Sequence, residues 1–480
     1  MRPALRLAGG VALAGIIAAC AMGPDYERPE IPVPLGWRDS ALALRDSSYA
    51  NVPWWEVFGD TTLQGMIRLG LRENQDVELA LARVNEARAL LGIQRLEFLP
   101  QIDVRAGVTR GSFPDSLGGE ALPERTLMAV GVSVGWEIDL WGRLRRLNES
   151  ARASLLASEF GRRGAILTVV SEIGRAYLEL LDLDGQVQIA LTQVDLRRQS
   201  LALATARFQG GLTSELDVRQ GEVALAGAER TLASLYRLRS QKENELRLLT
   251  GQPPGDVPRG LPLMGQNFPA VVPAGLPSDL LQRRPDVRQS EEELHAANAR
   301  IGAAIADLFP RLSLTGSAGT ASRELGDLFS TGTGFWTIGA NLLGPIINRG
   351  RNLKQVAAER ARTEAAIAGY EKTVLGAFRE VEDGLVAVQW FREEAAAAGR
   401  AVAASTRAYE LARLRYEGGV DDYLTLLDAQ REMLDAQLLE SELQRQSRVA
   451  VVRLYKALGG GWDPVTDTLA MPLPEEPPPR

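Results

Sequence analysis

The feature that most constrains this chain is an internal duplication. Asp76-Val77 opens a helical run that ends at Phe98-Leu99-Pro100, and Asp286-Val287 opens one that ends at Leu308-Phe309-Pro310. Both landmarks are 210 residues apart (286 − 76 and 310 − 100). Trp141-Gly142-Arg143 then matches Arg349-Gly350-Arg351. Arg207-Phe208-Gln209-Gly210-Gly211-Leu212 matches Arg415-Tyr416-Glu417-Gly418-Gly419-Val420. Leu248-Leu249-Thr250-Gly251 matches Lys456-Ala457-Leu458-Gly459, and these last three matches are each 208 residues on. Landmarks in one order mean a repeat spanning nearly the whole chain. Each half reads as helix, strand, strand, long helix, tight Gly turn, long helix.

The long helices are abnormal for a globule. No Pro interrupts residues 144–208 or 351–416, and roughly 65 residues at about 1.5 Å each come to roughly 100 Å. That length implies a coiled coil or helical repeat. The last helix carries a heptad of small and apolar residues (Ala429, Ala436, Leu443, Ala450, Ala457), and its counterpart begins likewise (Gly221, Ala228, Leu235). A strict seven-residue repeat winds helices left-handedly.

The strands are short and alternate. Ile102, Val104, Ala106 and Val108 share a face opposite Asp103, Arg105 and Thr109; Met128, Val130, Val132, Val134 and Trp136 share one opposite Ser133 and Glu137. In the second half Leu312, Leu314, Gly316 and Ala318 alternate with Arg311, Ser313, Thr315 and Ser317, followed by Trp336, Ile338, Ala340 and Leu342. This pattern suits a lipid-facing barrel strand and a half-buried strand of a soluble sheet equally well. Two hairpins cannot close a barrel, since bacterial barrels begin at about 8 strands. If the strands face lipid, several chains must share one barrel, because an open edge cannot sit in hydrocarbon.

Length and composition add bounds. A chain of 480 residues ordinarily suggests about two to four domains. The net charge of −7 argues against a nucleic-acid partner. One Cys and one His exclude a disulfide framework and any ordinary zinc site. His295 has no metal partner in sequence and reads as an ordinary helix residue. Trp136, Trp141 and Trp336 suit either a membrane interface or core packing, and Trp54-Trp55 suits packing against the outside of the helices. No P-loop, dinucleotide fingerprint or catalytic triad is present, so no cofactor and no enzymatic activity are expected.

The N-terminus reads as an export signal. Arg2 and Arg6 precede an apolar run from Leu7 to Ala19, shorter than the roughly 20 residues a membrane helix needs. Residues 1–19 fit a signal peptide. The run ends Ile17-Ala18-Ala19-Cys20, which resembles the lipobox of bacterial lipoproteins. That resemblance implies lipidation of Cys20. Ala21 follows rather than Asp, which in such lipoproteins permits sorting to the outer membrane. The expected organisation is a lipidated Pro-rich extension (20–60), a first repeat (61–251), a linker (252–276), a second repeat (277–460) and a C-terminal tail (461–480).

Cys20, the opening Gly23-Pro24-Asp25-Tyr26-Glu27-Arg28-Pro29, the paired helix ends and the tip running from Tyr416-Glu417-Gly418-Gly419 to Asp428-Ala429-Gln430-Arg431 resemble the outer membrane factor (TolC-like) family. The branch they match is the NodT-type lipoproteins of resistance-nodulation-division efflux systems. The resemblance implies an α+β membrane protein. In it three copies each give four strands to one twelve-stranded β-barrel, and their long antiparallel helices build a periplasmic α-barrel. It further implies a homotrimer in the cell outer membrane, lipid-anchored and extending into the periplasm, partnered by a periplasmic adaptor and an inner-membrane pump. It implies a periplasmic gate at Leu424, Asp428 and Arg431, and adaptor-docking tips at Gly210, Gly211, Leu212, Thr213, Gly418, Gly419, Val420 and Asp421. The glycines have a plainer use as well, because a helix C-terminus often needs φ > 0. A passive export duct is the leading reading. A type I secretion duct for proteins shares the same tunnel. A lipid-anchored adaptor would carry one hairpin rather than a duplicated one.

Overall fold

The computed structural model describes residues 21–38, 48–111, 125–269 and 272–461. Cys20, the signal peptide and nearly all of the C-terminal tail lie outside the described residues. The main elements are α1 (Thr61–Glu73), α2 (Gln75–Leu96), β1 (Gln101–Gly111), β2 (Arg125–Ile138), α3 (Arg143–Gln209) and α4 (Glu215–Leu249) in the first repeat. The second has α5 (Pro285–Ala306), β3 (Arg311–Ser322), β4 (Gly334–Leu343), α6 (Arg349–Glu417) and α7 (Tyr423–Ala457). The Pro-free stretches are single helices of 67 and 69 residues. The chain is mostly helical with one small sheet, and it forms two compact units, each drawing on both repeats.

One unit (residues 1–30, 83–159 and 289–371) contains the sheet. Its order is β1-β2-β3-β4, antiparallel throughout. The central β2–β3 pairing joins the two repeats, a long-range contact that alternation alone does not specify. Residues directly opposite one another share a face, so the register unites the apolar sets. Val104 faces Val132, Val132 faces Ala318, and Ala318 faces Trp336; one row along, Ile102, Val134, Gly316 and Ile338 line up. One side of all four strands is therefore apolar. The other is mostly polar, with Asp103, Ser133, Ser317 and Thr337 in one row and Arg105, Gly131, Gly319 and Phe335 in another. The apolar side is bare in the single chain: Val104 is 77%, Ile338 82% and Trp336 74% exposed. Gly131 and Gly319 are directly paired, and a Cβ on either would strike the opposite backbone.

The N-terminal segment is strapped onto the same unit. The Met22 N–H donates to the Trp141 carbonyl at 3.0 Å. Arg146, buried, donates to the Met22 carbonyl at 3.1 Å and to Asp25 at 2.8 Å. Gly23, at φ +93°, lies so close to Gly302 that neither position has room for a Cβ. Arg28 grips Glu291 with two bonds of 2.6 and 2.5 Å. His295 stacks on Tyr26 at 4.7 Å and bonds Glu149 at 3.1 Å, a fastening role for the segment. Trp141 stacks on Phe309 and donates to the Pro310 carbonyl at 2.8 Å, so packing claims it. Trp136 donates to the Phe98 carbonyl, while Trp336 stays on the bare apolar face.

The other unit (residues 31–82, 160–288 and 372–480) holds the greater part of the long helices and the inter-repeat linker. Its core includes Leu63, Ile67, Ile173, Tyr177, Leu178 and Leu246. Asp60 is the hub. Its carboxylate caps α1 through the Thr62 N–H, and accepts from Tyr177, the Leu261 N–H and the Gln266 amide. Burial pushes its pKa up, but these donors outweigh that and hold it below the usual carboxylate value. Trp54 is buried, edge-on to Trp55 and under Arg68. The heptads pack inward: Gly221, Ala228, Leu235, Leu443, Ala450 and Ala457 are buried, with Ala429 and Ala436 half-buried. Between α3, α4 and α7 runs an ion-pair layer, in which Arg175 contacts Glu172, Glu179 and Glu245, and Arg445 contacts Asp182.

Candidate functional site

The two hairpin turns are built alike. Gly211 and Gly419 adopt φ +73° and +72°. In the first turn the Gly211 N–H donates to the Phe208 carbonyl and the Leu212 N–H to the Arg207 carbonyl, at 2.9 and 2.8 Å. In the second, Gly419 and Val420 repeat the pattern onto Tyr416 and Arg415 at 3.0 and 2.9 Å. This is the left-handed helix stop in which the last carbonyls regain donors. Gly210 and Gly418 each close a final helical bond, to Ala206 and Leu414. Thr213 bonds Asp217, and Asp422 caps α7 through the Thr425 N–H at 2.9 Å. Leu212 and Val420 are exposed on their turns. Asp421 forms a two-bond pair with Arg415 at 2.6 and 2.8 Å, and that bonding holds its pKa below the usual range.

The tips are tied together by residues to which the sequence reading assigned no site role. Arg207, at the end of α3, lies over the Tyr416 ring at 4.8 Å and donates to the Tyr416 carbonyl at 2.8 Å, covering the exposed C-terminus of α6. Tyr416 and Tyr423 meet at 5.3 Å within a cluster with Ala204, Tyr409, Leu426 and Met433. Burial pushes the Tyr423 phenol up to about 12. Further from the tip, Arg197 on α3 donates to the fully buried Gln430 at 2.7 Å, and Gln430 donates to Ser200 at 2.8 Å. Burial lowers the Arg197 pKa, and the Arg431 charge adds to that. The signal for Gln430 was present: Tyr423, Leu426, Gln430 and Met433 follow helical spacing, so an amide interrupts an apolar stripe.

The gate candidates occupy the opposite side of α7. Leu424 is exposed, and Asp428 pairs with Arg431 three residues on at 3.4 Å, both more than half exposed. All three are available to a surface outside the chain. The arrangement offers no catalytic chemistry. Among the described residues no group of three or more His, Cys, Asp or Glu side chains is placed to hold a metal, and no helix is long and apolar enough to cross a membrane.

Comparison with known proteins decides the family. The profile described as "Outer membrane efflux protein" matches residues 66–252 and 276–460. The chain belongs to the outer membrane efflux protein family. The solvent efflux pump outer membrane protein SrpC of Pseudomonas putida is 36% identical over 466 residues, covering 93% of this chain and 96% of its own. A membrane protein from Pseudomonas aeruginosa, solved by crystallography, superposes with a TM-score of 0.84 at 34% identity, covering 92% of this chain and 98% of its own. The open state of the MtrE outer membrane channel of Neisseria gonorrhoeae gives 0.81 at 33%, with the same coverage. This outer membrane efflux protein is accordingly a non-enzymatic efflux channel component of the outer membrane.

Proposed function

We propose that three copies of this chain form one passive duct across the outer membrane. The observation that carries the reading is the sheet: four strands with a continuous bare apolar side and two edges, β1 and β4, that pair with no further strand among the described residues. Unpaired backbone groups cost several kcal/mol each in hydrocarbon, so other copies must pair with these edges. Three copies close a twelve-stranded barrel, with the side that carries Asp103, Ser133, Ser317 and Thr337 lining the water-filled interior. The helices extend the duct into the periplasm. There the tips at Gly210, Gly211, Leu212, Thr213, Gly418, Gly419, Val420 and Asp421 dock a periplasmic adaptor, and an inner-membrane pump drives small molecules through. SrpC, named for a solvent efflux pump, supports cargo of that class. Leu424, Asp428 and Arg431 ring the periplasmic aperture in this reading, and Cys20 carries the lipid anchor. In this reading the duct-forming part consists of two repeats, 61–251 and 277–460, joined by the linker 252–276.

The test is reconstitution. Purified protein should migrate as a heat-sensitive trimer and open discrete conductance steps in a planar bilayer. A monomer that never conducts would sink the duct. Metabolic labelling with palmitate should mark wild type and not Cys20→Ser; equal labelling would remove the anchor.

A further inference from the structure

Of three cavities among the described residues of the helical unit, one differs from the other two in the charge of its lining. Those lined by Glu380, Asp383, Arg445 and Lys456, and by Asp184, Glu243, Arg239 and Arg259, mix both signs. The third, of about 350 Å³, lies between α6, α7 and the linker; Arg392 and Arg448 line it, and no carboxylate among the described residues does.

Arg448 is the informative group. Its Nη1 donates to the Gln444 carbonyl and side-chain oxygen at 2.8 and 2.9 Å, and its Nη2 points at the Met264 sulfur at 3.7 Å. Its Nε is buried with no acceptor. Among the described residues no carboxylate pairs with it, and burial alone lowers its pKa. A half-buried cation served only by neutral acceptors is costly. Other half-buried arginines of the same unit, such as Arg175 and Arg445, are matched to acids.

The rest of the lining completes a ligand description. Gln266, Asn267 and Ser447 offer neutral polar groups, and Phe268, Val388 and Val451 an apolar wall. The volume falls in the range of small-molecule sites, about 300–1,000 Å³. We infer that this cavity binds a small amphipathic carboxylic acid, its carboxylate on Arg448 and its apolar body against Phe268, Val388 and Val451. A planar carboxylate is the natural complement of a guanidinium, which can offer it two parallel N–H groups. The site lies apart from the tips, on the parts of α6 and α7 that face the linker.

The experiment is calorimetric titration of the purified full chain in its assembled form, with benzoate and with benzamide, its neutral isostere. Wild type should bind benzoate at least tenfold more tightly than benzamide. Arg448→Gln should abolish that preference, and Ala395→Trp, which fills the cavity, should block both ligands. Each variant's oligomeric state and thermal midpoint verify folding, and Arg448→Lys should retain part of the preference. Equal binding of the two probes, or a preference that survives Arg448→Gln, would overturn the assignment. So would absence of benzoate binding together with weakened assembly in Arg448→Gln, which would hand the cavity to a carboxylate of a second copy.

Discussion

At the scale of single residues, glycines with the same backbone conformation carry different loads. Gly211 and Gly251 both have φ near +70°, yet a Cβ at Gly211 would meet open space, whereas one at Gly251 would lie 2.2 Å from the Glu73 carbonyl oxygen. Gly211→Ala should therefore cost only the left-handed strain, about 1–2 kcal/mol. Gly251→Ala must also displace the end of α1 and should lower the unfolding midpoint clearly more; equal midpoints in a thermal melt would refute the distinction. Asp60 gives a pH dependence. Its folded pKa is depressed, so ionisation favours the fold above the unfolded carboxylate value of about 3.9, and the benefit is lost as pH falls through the lower folded value. Denaturant titrations of wild type and Asp60→Asn should show a stability gap at pH 7 that narrows below about pH 4. A gap that widens in acid would reverse the assigned sign.

At the scale of elements, the two sides of the sheet predict opposite outcomes for neighbouring substitutions. Ile338→Lys would place a charge on the apolar side, where a midplane Lys costs about 2–4 kcal/mol. Thr337→Lys, one residue away, would project from the polar side and should be tolerated. Recovery of heat-sensitive oligomer from outer-membrane fractions reports this, and equal recovery of both would show that the apolar side does not meet lipid. The alternation behind that prediction was legible in the sequence, because side-chain parity along a strand is a local property. So were the long helices, read from the absence of Pro. The pairing of β2 with β3 was not, since it joins segments some 180 residues apart in the sequence. The tie of Arg207 to Tyr416 is not legible in the sequence for a similar reason: its acceptor is a carbonyl, which any residue possesses.

For the whole molecule, the tips set a balance that conductance can measure. The Tyr423, Leu426, Gln430 and Met433 side of α7 is held inward by Arg197, Ser200 and the aromatic cluster, leaving Leu424, Asp428 and Arg431 outward. If these three ring an aperture, Asp428→Ala with Arg431→Ala should raise single-channel conductance severalfold, and an unchanged conductance would remove them from the gate. The sequence by itself determined the duplication, the helix lengths, the two-sided strands and the glycine stops, because each depends on spacing along the chain. Only the tertiary structure decided that both hairpins join one sheet, that Asp60 gathers α1, α3 and the linker, and that Arg448 is left without an acid. Those depend on which distant groups meet once water is excluded, and a buried polar group must take its partner from whatever the fold brings within about 3 Å.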